Sequence, residues 1–336
     1  MISSTRLPRQ IKYVAERFLM PATIPKNISE RFRTADSAGM DVIEASLRRS
    51  YFSPKDAWYD ERYLSSDEGS NDLQDHLCRR LDNFRKTVVP WLSDARPLTG
   101  ANILELGCGT GSLTVALAEQ GARVTAIDIA QTSLTVGMDR CEVYGLDVDF
   151  IRANATEVHE ILSGRPFDFV IFSATLEHMT HDERMIAMSN TWNMLSKGDL
   201  WCIVETPNRL WFYDGHTSLM PFYSWLPDDL AFLYSRFSPR RGFCDLYRET
   251  TEGSRLDFLR RGRGVSFHEF ELAMKRAADL DVASSRAIFL RSRSVLRRAL
   301  WKLTIESRYE SFLVKAGPKI HRGFYQPFLD LIIVKD

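Results

Sequence analysis

Between about residues 99 and 208, short apolar or β-branched runs alternate with segments whose apolar positions recur at helical spacing. That alternation is the signature of βαβ units laid into a parallel sheet. It predicts strands at 103–106, 123–127, 148–151, 169–172 and 200–204, and helices at 112–119, 131–141, 156–162 and 182–195. Gly121, Gly145 and Gly198 stand where helices should stop, because glycine takes the left-handed terminal conformation without a Cβ clash. Residues 1–98 carry helical periodicity, clearest over 72–92, and read as an N-terminal helical cap ahead of the 99–208 core. Residues 209–264 are rich in aromatics and broken by Pro221 and Pro227, so they read as an insertion folded over the sheet. Residues 265–336 offer a helix over 267–279, an apolar run at 287–290, a basic helix over 294–303 and a strand at 328–334. The two late apolar runs, taken as strands, complete a Rossmann-like α/β sheet of seven strands.

Composition narrows the partners. Lys plus Arg and Asp plus Glu both number 44, whereas a protein that grips a nucleic-acid backbone usually carries a net basic surface. A nucleic-acid partner is therefore disfavoured. Cys78, Cys108, Cys141, Cys202 and Cys244 are odd in number and scattered, which argues against a disulfide framework or a zinc site and for a reducing compartment. With no bilayer-length apolar run and no signal-peptide core, the expectation is a cytoplasmic protein. Leu7, Ile11, Val14, Phe18 and Leu19 recur beside Arg6, Arg9, Lys12 and Arg17; this basic amphipathic pattern permits peripheral membrane contact, although packing on the protein's own body is the commoner use. The oligomeric state is not readable.

The sharpest chemical signal is ILELGCGTG, residues 103–111. A strand runs straight into Gly107, Cys108, Gly109 and Gly111, and a helix follows. Such glycines let the chain turn, let backbone approach a ligand, and let helix and strand pack closely. The next strand ends in Asp128, a carboxylate placed to accept hydrogen bonds from ribose hydroxyls. A dinucleotide fingerprint wants its third small residue one position later, where Ser112 stands. Glu105, Gly107, Gly109, Gly111 and Asp128 together resemble motifs I and II of the class I S-adenosylmethionine-dependent methyltransferases.

The resemblance implies S-adenosyl-L-methionine as cofactor, a last strand antiparallel to the rest, and methyl transfer to a small-molecule acceptor. It assigns Glu105 to organising the loop, the Gly107–Gly111 backbone (Cys108 through backbone alone) to the methionine moiety, and Asp128 to the ribose. Asn154 is the candidate for the adenine amino group, and Ala155 and Ser173 are further cofactor-binding candidates.

The segment 173–179, SATLEHM, resembles the Leu-Glu-His signature of small-molecule O-methyltransferases such as those of ubiquinone biosynthesis. It lies at the carboxyl edge of the fourth strand, where open α/β sheets bind ligands. His178 is thus a candidate general base, with Glu177 beside it and His216 as an alternative; a purely scaffolding role for Glu177 and His178 stays open. Glu205, Asn208, Arg209 and Asp214 are secondary candidates for orienting an acceptor. Some ubiquinone-type relatives have an acidic residue where Ala174 stands here, and with that ligand missing no required metal is expected. The resemblance implies O-methylation of a sugar, lipid-linked or phenolic hydroxyl, with residues 209–264 as a lid over the acceptor site. N- or C-methylation, and a noncatalytic binding or scaffolding module on the same fold, remain as alternatives.

Overall fold

The computed structural model describes residues 24–52, 63–248 and 251–336. The basic amphipathic pattern at residues 7–19 lies outside them. Seven strands, β1 (Asn102–Leu106), β2 (Arg123–Asp128), β3 (Asp149–Arg152), β4 (Phe169–Ser173), β5 (Leu200–Pro207), β6 (Asp281–Ser285) and β7 (Phe328–Val334), form one sheet in the order β3-β2-β1-β4-β5-β7-β6. Strands β1 to β5 pair in parallel, and β7 runs antiparallel to both β5 and β6. The expected seven-stranded sheet with an antiparallel last strand is therefore present.

The helices used below are α1 (Ser37–Ser46), α2 (Ser112–Ala118), α3 (Gln131–Val143), α4 (His181–Met194), α5 (Glu252–Arg260), α6 (Phe267–Ala273), α7 (Val295–Lys302) and α8 (Ile305–Ala316). Strand periodicity sorts the core into two layers, because successive side chains face opposite sides of a sheet. Ile103, Phe169, Ile171, Cys202 and Val204 pack with Leu113, Leu117 and Val136 of α2 and α3 and with Ile43, Val88 and Trp91 from the N-terminal helices. On the other face Leu104, Leu106, Phe172, Trp201 and Ile203 pack with Met188 and Trp192 of α4 and Phe270 of α6. Trp201 is fully buried, so its truncation to Ala would cost about 3–5 kcal/mol. Thr180 with Glu183 and Ser266 with Glu269 close capping boxes that start α4 and α6.

Two expectations at the C-terminal end are corrected. The apolar run 287–290 is not a strand; it lies within a helix, Arg286–Ser292. The sixth strand is instead Asp281–Ser285, whose residues are exposed or half-buried except Ser285. An edge strand needs no continuous apolar run, and a four-residue apolar run does not by itself distinguish helix from strand. Likewise the helix expected over 267–279 ends at Ala273, and a 3-10 turn occupies Ala277–Asp279. The segment after β5 builds a small core of its own from Met220, Tyr223, Phe232, Phe243 and Phe258. Among the described residues no helix is long and apolar enough to cross a membrane.

Candidate functional site

The glycine loop leaves β1 and turns over the carboxyl edge of the sheet, with Gly107, Gly109 and Gly111 all at positive φ. Two of these glycines are required by close approach. A Cβ on Gly107 would stand 2.2 Å from Thr175 Oγ1, and one on Gly111 would stand 2.9 Å from Gly137 Cα. Gly109 is different: nothing lies within 4 Å of its Cβ direction, so its backbone faces open space.

Beneath the loop, Glu105 is buried and accepts a hydrogen bond from Thr114 Oγ1 through Oε2, at 2.7 Å, while Oε1 has no partner. Burial pushes its carboxyl up to about 8, opposed by the Thr114 bond and helped by the Asp128 charge. Asp128 is held from behind, its Oδ2 accepting from Gly109 N at 2.9 Å and its Oδ1 from Ala130 N at 2.8 Å. Burial raises its pKa and these backbone donors oppose the rise. The Cys108 thiol is buried and held well above its ordinary range by desolvation, which suits a residue contributing backbone rather than chemistry.

An open glycine backbone beside an anchored carboxylate fits a nucleoside carrying a small charged tail. Asn154 lies past the end of β3, where its Oδ1 accepts from Thr156 N at 3.1 Å; a carbonyl oxygen has a second lone pair to offer. Ala155 is buried among Ala153, Val158 and Leu162, so its side chain belongs to the core. Ser173 is buried at the end of β4, and the Thr175 hydroxyl lies 2.8 Å from its carbonyl and 2.9 Å from that of Leu106. Thr175 thereby ties the end of β1, where the glycine loop begins, to the end of its sheet neighbour β4, a role that its position in SATLEHM did not announce.

Beyond that edge the structure brings Glu177, His178 and His216 together. One ligand atom from each lies within 4.8 Å of the others. Glu177 is fully buried; its Oε2 accepts from Thr206 Oγ1 at 3.1 Å, and Oε1 has no hydrogen bond, with His216 Nε2 at 3.6 Å. Burial pushes its carboxyl up to about 8, against the pull of the Thr206 bond and the Arg184 charge. His178 Nδ1 lies 2.8 Å from the Arg260 carbonyl at the end of α5. A carbonyl only accepts, so Nδ1 carries the proton and Nε2 the lone pair. Burial lowers the His178 pKa, partly offset by the Arg260 bond, and the ring is neutral near pH 7. The rings of His178 and His216 are 5.5 Å apart.

The same donor set could hold a divalent ion, since two imidazoles and a carboxylate are common ligands of borderline metals. Sequence reasoning found the three residues but treated His216 as an alternative base rather than a neighbour of Glu177. It missed Arg184, a buried residue of α4 whose guanidinium donates to the carbonyls of Met179, Glu177, Arg263 and Gly264 at 2.8 to 3.4 Å. It also missed Arg140, fully buried on α3, which donates to Thr110, Leu77 and His76 carbonyls and ties the glycine loop to the N-terminal helices. The available signal was a charged residue in the inward stripe of α3, beside Gly137 and Cys141.

The secondary candidates divide. Asp214 accepts from the backbone of His216, Thr217 and Ser218 and from the Ser218 hydroxyl, so it organises the turn that carries His216. Asn208 is buried, donating to Phe324 and Gln326 carbonyls and accepting from Leu210 N; all its groups are engaged structurally. Glu205, at positive φ, accepts from Asn83 and Arg286 at 3.1 Å each. Arg209 is exposed and shares a recess of about 270 Å³ with His181, Trp225 and His268.

Residues 103–198 match the family described as Methyltransferase domain. The cypemycin N-terminal methyltransferase of a Streptomyces species is 42% identical over 86 residues, 26% of this chain and 33% of that protein. A ubiquinone biosynthesis O-methyltransferase from Rhizobium etli is 32% identical over 137 residues, 41% of this chain and 50% of its own. This chain thus spans a third to a half of the length of these relatives. Among solved structures, a magnesium protoporphyrin IX methyltransferase from Synechocystis aligns at 22% identity with a TM-score of 0.37, covering 50% of this chain and 74% of that one. Residues 103–198 thus form a methyltransferase domain, whose glycine loop, Asp128 and sheet order resemble those of the class I S-adenosylmethionine-dependent type.

Proposed function

We propose that this protein transfers the methyl group of S-adenosylmethionine to a hydroxyl of a small or medium metabolite, with His178 removing the acceptor proton. When bound, the cofactor supplies an electrophilic methyl group. The residues of this chain would do the rest: Gly109 and Asp128 hold the cofactor, the segment after β5 shields the transfer from water, and His178 Nε2 takes a proton. Such positioning is the main contribution an enzyme makes to an in-line displacement.

The observation that carries this reading is the tautomer of His178. A neutral imidazole whose Nδ1 proton is held by the Arg260 carbonyl presents a basic Nε2. It does so at the carboxyl edge of β4, across the Ser173 and Thr175 backbone from the glycine loop. Methylation at oxygen is favoured over nitrogen because a hydroxyl needs a base, whereas a neutral amine does not. The relatives differ on this point, one being named for an N-terminal methyl acceptor and another for an O-methyl acceptor.

The test is transfer of labelled methyl from S-adenosylmethionine to a panel of phenols, sugars and lipid-linked hydroxyl compounds, run beside matching amines. Product from a hydroxyl acceptor, lost in His178→Ala, supports the reading. Product from amines alone, undiminished by that substitution, overturns the oxygen assignment. A second reading rests on the Glu177, His178 and His216 donor set: the three hold a divalent ion that polarises the acceptor oxygen. Chelation distinguishes the two.

A further inference from the structure

Helix α7 is built inside out. Its inward side carries Arg297, only 8% exposed, whereas Leu296, Leu300 and Leu303 just beyond its end are 68%, 40% and 78% exposed. These leucines follow i, i+4 and i+7 spacing and so form one stripe. A helix packed for the protein's own benefit turns its leucines to the core.

Exposed apolar residues recur on α8, which follows two residues after α7: Ile305 and Phe312 are 66% and 58% exposed. Ile305, Tyr309 and Phe312 share a shallow apolar recess of about 470 Å³ with Phe222 and Trp225 from the segment after β5. Exposed apolar area of this kind marks a surface that meets something other than water.

Charge identifies what it meets. Residues 291–322 hold nine Lys or Arg against two acidic residues, in a chain whose overall formal charge is zero. Glu310 is buried and engaged with Arg291 and Arg322, Arg297 is itself buried and Arg293 faces Asp94, which leaves the exposed Arg298, Lys302, Arg308, Lys315 and Lys319 against Glu306. Lys302 and Arg308 are exposed, and Arg308 lines the apolar recess. A short amphipathic helix with leucines on one face, a tryptophan and phenylalanines at its border and cations around it is the composition that settles into the headgroup region of an anionic bilayer. A second copy of the chain would bring the same excess of cations against itself, which disfavours self-association through this face.

We propose that the face formed by Leu296, Leu300, Leu303, Ile305 and Phe312, rimmed by Lys302 and Arg308, docks this protein on anionic lipid bilayers. The docking is independent of the methyl-transfer reading, since it involves none of the residues at the sheet edge.

The test is flotation of the full chain with vesicles of phosphatidylcholine alone and of phosphatidylcholine with phosphatidylglycerol, at low and high salt. Binding is expected only to the anionic vesicles and should weaken with salt. The double variant Leu296→Ser with Leu300→Ser should lower partitioning by roughly tenfold or more. Lys302→Glu with Arg308→Glu should lower it by roughly tenfold or more through charge alone. All four positions are exposed, and circular dichroism checks that each variant folds. Equal flotation of wild type and both variants would overturn the assignment, because residues 1–23 are unchanged in all of them. A wild-type dimer that ignores vesicles and is made monomeric by the serine variant would also overturn it, in favour of a second copy.

Discussion

His216 Nε2 lies 3.6 Å from Glu177 Oε1, a buried carboxylate oxygen with no hydrogen-bond donor. One residue comes from the turn after β4 and the other from the segment after β5. An unsatisfied buried oxygen is costly, and one at the carboxyl edge of a central strand stands where open α/β sheets place their chemistry. His178, beside both, supplies the first prediction. His178→Ala should lower kcat by about 100- to 10,000-fold while leaving S-adenosylhomocysteine affinity nearly unchanged. Equal kcat in the variant would reduce His178 to a scaffold for the Arg260 turn.

The pH profile follows from the same ring. Burial lowers the His178 pKa below its ordinary 6.5, so the basic form persists to more acidic pH than a free histidine would allow. The acid limb of kcat/KM should therefore fall below about pH 6.5. A limb above that value would contradict the assignment.

Stability should respond to pH in the opposite sense at Glu105. Its folded pKa, pushed up to about 8, exceeds the unfolded value of about 4.3. The folded state binds this proton more tightly, so its contribution is present below the unfolded pKa and is lost as pH rises towards 8. Glu105→Gln keeps an acceptor for Thr114 and cannot ionise. Its Tm in the absence of cofactor should exceed that of wild type near pH 8, by about 2–4 °C for each kcal/mol recovered. Identical slopes of Tm against pH in both proteins would show that Glu105 is not the group responsible.

Chelation tests the metal reading. With His178 acting as base, turnover should survive EDTA and extensive dialysis. Loss of turnover, restored by one divalent ion in wild type but not in His216→Ala, would instead assign Glu177, His178 and His216 to a metal centre.

Arg184 bonds the carbonyls that fix the turns around Glu177 and Arg263. Arg184→Met should destabilise the fold by about 2–4 kcal/mol, since it leaves several buried acceptors unsatisfied. Denaturant unfolding measures this, and a loss below about 1 kcal/mol would mean that water replaces the guanidinium.

The sheet was legible because its central strands are buried on both faces and read as apolar runs, and because glycines end the intervening helices. The edge strand β6 was not, since Asp281–Ser285 packs little and has no apolar signature. The glycine loop and Asp128 could be found from local spacing alone. The proximity of His216 to Glu177 could not, because it depends on how the segment after β5 folds back through Asp214 and the α5 turn. Arg140 and Arg184 were missed for a related reason: Arg140 acts through carbonyls 30 or more residues away, and Arg184 joins the nearby turn at Glu177 and Met179 to Arg263 and Gly264, partners that no local pattern encodes.

The methyl-transfer reading depends first on a cofactor site at Gly109 and Asp128. Its most direct test is calorimetric titration of S-adenosylhomocysteine into the full chain and into Asp128→Ala. Wild type should bind saturably, and the affinity of the variant should be at least about tenfold weaker, the loss of a charge-assisted hydrogen bond being worth about 1.5–3 kcal/mol. A folded wild type that binds nothing, or a variant that binds equally well, would contradict it.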